Sequence, residues 1–233
     1  MKRNKVIVGL AAIFLASVLS TQSAVLKVRD GESIQNAIDQ ANEGDTILVL
    51  PGTYEDGIYL DKSNISLVAL RGATISPYLN NPIPIGSGSF GISIGGDNVL
   101  ISGFNAYGYS AAGIAIGGNN VNVLNCHTDT ISVGNCSYIR IYDTEASKIS
   151  MMQSSNVMLF RCKVSGYVIA TSCPNMWVSL CEFGWAVTFP EFGTSGRFIR
   201  NKVTGPVELV QPSLEFWGAA GNNGRAVVIL PRG

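Results

Sequence analysis

The feature that most constrains the fold is a repeat of about twenty residues that organises the chain after residue 90. Apolar triplets with an alternating pattern, such as Ile92-Ser93-Ile94, begin at residues 92, 114, 131, 149, 168, 187 and 207. Each is followed by a second strand signal, such as 120–123, and then by a third column: Phe104, Cys126, Thr144, Cys162, Cys181 and Asn201. Three short strands per unit, separated by Gly, Asn and Ser turns, predict a solenoid.

One unit of this size cannot bury its apolar face alone, so successive units must stack as parallel strands about 4.8 Å apart. The predicted fold class is therefore all-β: a single-stranded parallel β-helix with three short strands in each coil of 18–22 residues. Leucine-rich repeats have a similar period but need a Leu/Asn consensus that is absent here. A β-sandwich would not keep three columns in register over seven units.

The N-terminal end of such a stack is an open edge that needs a cover. Residues 33–41 place Ile34, Ala37, Ile38 and Ala41 on one helical face, which predicts a capping helix. Residues 46–76 are predicted to form the first coils. The segment 77–88, which contains Pro82 and Pro84, interrupts the repeat and predicts a protruding loop.

The first residues predict export. Lys2, Arg3 and Lys5 precede an apolar run at 6–19, and a small-residue stretch ends at Ala24. This is the layout of a secretory signal, whereas an uncleaved anchor would need a longer run. We therefore predict a signal peptide at 1–24 and a β-helix domain at 25–233, with no membrane span after cleavage.

Cleavage would remove three of the 16 basic residues and leave 13 against 16 Asp and Glu, a net charge of −3. This balance gives no indication of nucleic-acid binding. The predicted location is secreted, periplasmic or on the cell surface.

Two stretches resemble a known superfamily. The run SIQNAI at 33–38, with GDTI at 44–47, PGTY at 51–54 and NISL at 64–67, resembles the opening of right-handed parallel β-helix proteins of the pectin lyase-like superfamily. The segment 91–104 is similar to the coil repeat of its NosD-like and carbohydrate-active members. The resemblance implies a right-handed winding. It implies little about activity, because the superfamily includes lyases, hydrolases, esterases, epimerases, adhesins and non-catalytic proteins.

Outward positions of the third strand form a column of polar residues: Asn105, His127, Glu145, Lys163, Glu182 and Lys202. The alternating charges are typical of an ion-pair ladder that holds parallel strands in register. The alternative is a catalytic groove in which Lys163, between Glu145 and Glu182 and helped by Arg161, takes a proton next to a uronate carboxyl group. The resemblance implies Ca²⁺ as a cofactor in that case, as in lyases of this fold; otherwise no cofactor is predicted.

Outward positions of the second strand and its turn combine aromatic and arginine side chains. The candidate ligand-binding residues are Arg140, Tyr142, Phe160, Arg161 and Trp177, with Met158 beside them. Grouped aromatic residues could stack on sugar rings while arginines meet acidic carboxylates. They could equally form a protein interface, including self-association, or be covered by the C-terminal tail.

The five cysteines are predicted to be buried thiols. Cys126, Cys162 and Cys181 share one inward column, and Cys136 and Cys173 share another. Side chains on stacked parallel strands point the same way, which separates their Cβ atoms too far for easy bridging. NosD-like proteins are associated with copper, but one histidine and no Cys-x-x-Cys pair do not supply a metal site.

We therefore expect an exported binding or scaffold module for a glycan or a cell-envelope partner. The alternative is a polysaccharide-active enzyme, a lyase or epimerase on uronate polymers. The resemblance does not extend to the paired aspartates of polygalacturonases or to the aspartate pair and arginine of pectin methylesterases. Phosphate-binding and dinucleotide-binding glycine motifs are also absent from the sequence.

Overall fold

A computed structural model describes residues 23–55, 57–70, 72–76, 83–85, 88–184, 187–189, 193–204, 207–210 and 226–229. Most of the predicted signal peptide, at 1–22, lies outside these residues. The described elements in chain order are β1 Val25–Val28, α1 Ile34–Gln40, β2 Thr46–Val49, β3 Gly52–Tyr54, β4 Ile58–Leu60, β5 Ser66–Ala69, β6 Ala73–Ile75, β7 Ile83–Ile85, β8 Gly88–Ile94, β9 Leu100–Ser102, β10 Asn105–Ala106, β11 Ala112–Ile116, β12 Asn122–Leu124, β13 His127–Gly134, β14 Arg140–Tyr142, β15 Glu145–Met152, β16 Met158–Phe160, β17 Lys163–Thr171, β18 Met176–Ser179, β19 Glu182–Phe183, β20 Val187–Phe189, β21 Gly196–Ile199, β22 Lys202–Val203, β23 Val207–Val210 and β24 Ala226–Ile229.

The strands form a β-solenoid with two hydrogen-bonded sheets. The first has nine strands in the order β1-β2-β5-β9-β12-β14-β16-β18-β21, and the second has fifteen. All pairs are parallel except β7 with β8, which are antiparallel. The predicted all-β parallel β-helix is confirmed. In the central coils, the third strand of one coil runs directly into the first strand of the next, as in β13, β15 and β17, so these two predicted strands share a sheet.

The predicted register is present along the stack. Arg140 pairs with Met158 and Met158 with Trp177 in the nine-stranded sheet. Glu145 pairs with Lys163 and Lys163 with Glu182 in the other sheet. Inward residues between these positions, such as Ile141 and Leu159, are fully buried and form the apolar ladders of the core.

The N-terminal end of the core is covered by α1, which confirms the capping helix. The Ser33 hydroxyl accepts a hydrogen bond from the Asn36 N–H at 3.2 Å, and Ile34 and Ile38 are fully buried. At the other end of the helix, Lys62 Nζ donates to the carbonyl of Asp39 at 2.7 Å. Part of the predicted loop at 77–88 is instead a strand, β7, because it pairs with β8 as a hairpin.

A sharp corner joins the nine-stranded sheet to the fifteen-stranded sheet in each coil. One residue per coil has a positive φ there: Gly103, Asn125, Asp143, Arg161, Leu180 and Arg200, with φ from 48° to 84°. At Gly103 a Cβ would also clash with the Ala69 carbonyl oxygen, so glycine is required in that coil. The corner brings outward residues of the two sheets within three residues of each other along the chain.

The residue after each corner points inward and satisfies buried backbone groups with its side chain. Thr144 Oγ1 donates to the Tyr142 carbonyl at 2.8 Å and accepts from the Cys126 N–H at 3.3 Å. Cys181 repeats both bonds: its thiol donates to the Ser179 carbonyl and accepts from the Cys162 N–H. The side chains of this inward column therefore form hydrogen bonds to buried backbone N–H and C=O groups at the corner; the column consists of Cys126, Thr144, Cys162, Cys181 and Asn201.

A second corner has the same arrangement, with Cys136, Ser154, Cys173 and Thr194 in its inward column. All five cysteines are buried and unbridged, as predicted. Burial raises the pKa of the Cys126 thiol to about 11. A hydrogen bond with the Cys181 thiol instead lowers the pKa of Cys162. All five cysteines are small hydrogen-bonding core residues, and burial restricts the access of reagents to them.

Candidate functional site

Two surfaces meet at the first corner. We define the aromatic face as the outward residues of the nine-stranded sheet and its turn: Arg140, Tyr142, Met158, Phe160, Arg161, Trp177 and Arg197. We define the corner groove as the concave surface on the other side of the same corner. It has a volume of about 720 Å³ and is lined by Ala69, Gly72, Ser102, Gly103, Asn105, Asn125, Cys126, His127, Asp143 and Glu145.

Three aromatic rings lie on successive coils of the aromatic face. Tyr142 and Phe160 pack edge to face with ring centroids 6.1 Å apart, and both are half-buried. Trp177 is 44% exposed on the next coil, and its Nε1 donates to the Ser179 hydroxyl at 3.1 Å. The Tyr142 hydroxyl contacts Met158 Sδ at 3.4 Å. These contacts fix the rings while leaving part of each surface accessible.

The arginines of the aromatic face differ in how far their charge is neutralised. Arg161 lies 5.0 Å from the Phe160 ring centroid and donates to Asp143 Oδ2 at 2.6 Å. Arg140 donates to Asn120 Oδ1 at 2.9 Å. Arg197 lies 5.9 Å from the Trp177 ring and has no carboxylate partner in the described part of the chain.

The structure thus brings the five predicted ligand-binding residues together on one surface, and it adds Arg197. The sequence repeat could have identified Arg197, because Arg197 follows Trp177 in the same outward column of the second strand. The prediction that the C-terminal tail covers this face falls on residues outside the described ranges.

The charged column is an interrupted ladder. Glu145 pairs with His127, whose Nε2 lies 3.3 Å from Oε2, and Glu182 pairs with Lys202 at 3.6 Å. Lys163 lies between both glutamates in the register, yet it makes no ion pair with any described residue. Alternation in the sequence therefore predicted the positions of the charges but not their partners.

The corner groove was not predicted, although its residues belong to predicted columns. The His127 ring packs edge-on against Tyr107 with centroids 4.8 Å apart, so two neighbours orient the only histidine of the chain. The Tyr107 hydroxyl is buried and has no hydrogen-bond partner among the residues that the structure describes. Burial, followed by the charges of Asp129 and Glu145, raises the pKa of Tyr107 to about 12.

A metal centre has no support in the described residues. No three His, Cys, Asp or Glu side chains converge there as metal ligands do. We therefore assign no residue to Ca²⁺ and derive no step through it. No helix in the described ranges is long and apolar enough to cross a bilayer.

Similarity to solved structures identifies the fold. The chain superposes on pectin methylesterase from Aspergillus niger with a TM-score of 0.54 and 13% identity, over 88% of this chain and 86% of the other. It superposes on a family 28 exopolygalacturonase from Yersinia enterocolitica with a TM-score of 0.53 and 12% identity, over 88% of this chain and 57% of the other. The fold is that of the pectin lyase-like right-handed β-helix proteins. No protein-family model and no curated protein sequence matches this chain.

The pectin lyase-like fold by itself leaves the activity open, because identities of 12–13% establish architecture alone. A surface adhesin of Streptococcus pneumoniae is also similar, with a TM-score of 0.47, 13% identity and coverage of 88% of this chain and 80% of the other.

Proposed function

We propose that this chain is an exported, non-catalytic polysaccharide-binding protein whose aromatic face binds acidic glycans. The observation that carries the proposal is a group of three rings on successive coils: Tyr142 and Phe160 are in register, and Trp177 lies on the next coil in the neighbouring column, opposite Met158. Trp177 is exposed, and Tyr142 and Phe160 are half-buried. A linear polymer that runs along the stack would meet one ring per coil, about every 4.8 Å. Grouped, accessible aromatic side chains are uncommon on inert surfaces.

The charges on this face favour an acidic ligand. Arg197 is exposed and has no carboxylate partner among the described residues. Its planar guanidinium group can donate two parallel hydrogen bonds to a sugar carboxylate. A neighbouring ring already stacks against Arg197, which limits the entropy that it loses on binding. Solved structures with this fold include a pectin methylesterase and an exopolygalacturonase, so the architecture is compatible with polysaccharide ligands.

The test is isothermal titration of the mature protein with oligosaccharides of polygalacturonate, alginate and hyaluronan, with dextran as the neutral comparison. We expect binding to acidic polymers, and an affinity that falls as salt screens the arginine. Phe160→Ala and Trp177→Ala should each weaken binding about tenfold, since a ring contact of this kind contributes roughly 0.5–1.5 kcal/mol beyond its buried area.

The matched control is Tyr59→Ala. Tyr59 is 43% exposed but lies on β4, outside the aromatic face, so its removal should leave the affinity unchanged. Equal affinities for wild type, Phe160→Ala and Trp177→Ala, in variants that keep the wild-type circular dichroism spectrum, would remove the basis of the proposal.

The alternative activity, a lyase or epimerase acting on uronate polymers, has one specific observation in its favour. Lys163 has no carboxylate partner in the described part of the chain and is exposed between Glu145 and Glu182. An amine in this position could take the proton next to a uronate carboxyl group. Elimination would then break the glycosidic C–O bond on the adjacent ring carbon, and the departing oxygen would take a proton from water. The product is an unsaturated uronate, which absorbs in the near ultraviolet. Absorbance that appears with wild type and disappears with Lys163→Met would favour the lyase, and no absorbance on any uronate polymer would oppose it. An epimerase forms no double bond, so its test is exchange of the proton next to the carboxyl group with deuterated water, which Lys163→Met should abolish.

A further inference from the structure

The corner groove has a polar lining that differs in kind from the aromatic face. The side-chain amides of Asn105 and Asn125 make no hydrogen bond to any described residue. Corner asparagines elsewhere do the opposite, since Asn98 donates to Asn64 at 3.0 Å and Asn120 donates to Asn98 at 2.8 Å. Two amides, each with donors and an acceptor, are therefore free at the groove.

Each carboxylate of the groove contacts a partner through only one of its two oxygens. Glu145 contacts His127 through Oε2, and Asp143 contacts Arg161 through Oδ2. Each carboxylate keeps one oxygen without a partner among the described residues. Free amides and carboxylate oxygens on one concave surface match a group of neighbouring hydroxyls, which both donate and accept.

The charge of the groove selects against an acidic sugar. Asp143 and Glu145 both line it. The guanidinium group of Arg161 lies over the Phe160 ring and pairs with Asp143 at 2.6 Å, whereas Glu145 has no arginine or lysine partner among the described residues. A uronate carboxylate in the groove would lie close to the negative charge of Glu145, and such a pairing is unfavourable. A neutral sugar meets the same hydroxyl-binding groups without this repulsion.

We propose that the corner groove is a binding site for a neutral sugar and that it acts together with the aromatic face. This inference rests on the proposed glycan binding. Tyr142 on the face and Glu145 in the groove are three residues apart, so their Cα atoms are separated by at most about 10 Å. A chain that runs along the rings of the aromatic face and turns over the corner at Tyr142 would place an acidic sugar on the face and a neutral sugar in the groove. The ligand class is therefore a heteropolysaccharide in which acidic and neutral sugars alternate.

The experiment compares two probes with the same number of carboxylates: hyaluronan oligosaccharides, which alternate uronate with a neutral sugar, and polygalacturonate oligosaccharides, which do not. We expect the wild-type protein to bind the alternating probe at least tenfold more tightly. The groove variant is Asn105→Thr with Asn125→Gly. Each substituted residue occurs at the equivalent position one coil earlier, as Thr74 and Gly103. This variant should lose the preference but keep its affinity for polygalacturonate.

Two further variants sharpen the comparison. Asn135→Gly makes the same change at a positive-φ corner residue outside the groove, and it should keep the tenfold preference. Glu145→Gln keeps the hydrogen-bonding shape but removes a negative charge, so it should bind polygalacturonate more tightly than wild type does.

The outcomes separate the two proposals. If wild type binds both probes equally, or if the groove variant keeps the preference, the neutral-sugar site is refuted while acidic-glycan binding stands. If wild type binds neither probe, nor any acidic polymer of the first panel, both proposals are refuted.

Discussion

The hydrogen bonds of the inward polar column at the corner allow us to predict how much Thr144 contributes to the free energy of unfolding. The residue is 1% exposed, and its hydroxyl serves two backbone groups, the Tyr142 carbonyl and the Cys126 N–H. Thr144→Val keeps the shape of the side chain but removes both bonds. A net loss of 0.5–1.5 kcal/mol per bond gives a destabilisation of about 1–3 kcal/mol. For a chain of this size, that corresponds to a fall in Tm of roughly 2–12 °C.

The matched substitution at this position is Thr144→Cys. Cys126, Cys162 and Cys181 occupy the same column, and each thiol contacts the carbonyl two residues earlier. Thr144→Cys should therefore reduce the free energy of unfolding much less than Thr144→Val does. Thr53→Val, at an exposed strand position, should change stability by less than about 0.5 kcal/mol.

The assay is urea unfolding followed by circular dichroism, with the free energy taken from the midpoint and slope. The slope should be the same in all variants, since the same surface is exposed on unfolding. The account of the column is refuted if Thr144→Val is as stable as Thr144→Cys, because the hydroxyl would then contribute no hydrogen bonding that the fold requires.

Three other predictions concern the fold. In a chain that retains Ala24, Asp45 accepts backbone hydrogen bonds from Ala24 and Asn42, which hold the pKa of its carboxyl group below 3.8. The stabilising effect of Asp45 is therefore present above that pH and is lost as the pH falls through the lower folded-state pKa. Asp45→Asn should reduce the stability of this chain near pH 7, and the difference should shrink under acid, whereas a pH-independent difference would contradict the assignment. Gly103→Ala should destabilise by at least the 1–2 kcal/mol of a left-handed residue, whereas Gly134→Ala, whose Cβ meets nothing within 4 Å, should have little effect in the same urea assay. A thiol reagent should find five free thiols in unfolded, unreduced protein and react slowly with the native protein; fewer than five would indicate a disulfide.

The repeat predicted the architecture because its columns are a direct consequence of stacking. Once triplets such as 92–94 and 114–116 are aligned, the pairing of Arg140 with Met158 and of Glu145 with Lys163 follows without further information. The period fixes which residues are neighbours on adjacent coils. It therefore also placed the ligand-binding candidates on one face.

The corner groove could not be predicted in the same way. Its concavity depends on the positive φ at one position per coil. Glycine and asparagine are the usual residues at a positive φ, so this backbone conformation could not be predicted at Arg161 or Leu180. The repeat period also does not determine which charges form ion pairs, since Glu145 and Glu182 each had two candidate partners in the column. The side-chain conformations selected His127 and Lys202.

The stacked register is the claim on which both proposed surfaces depend, and a distance between two spin labels tests it directly. His127 and Lys202 are exposed and lie four coils apart in one column, so labels at His127→Cys and Lys202→Cys should be separated by about 19 Å between Cα atoms. The native cysteines are at most 3% exposed and should not react. Electron–electron double resonance should give a single narrow distribution near this value after allowance for the label side chains. A distribution centred beyond about 30 Å, or several distinct distances, would contradict the register.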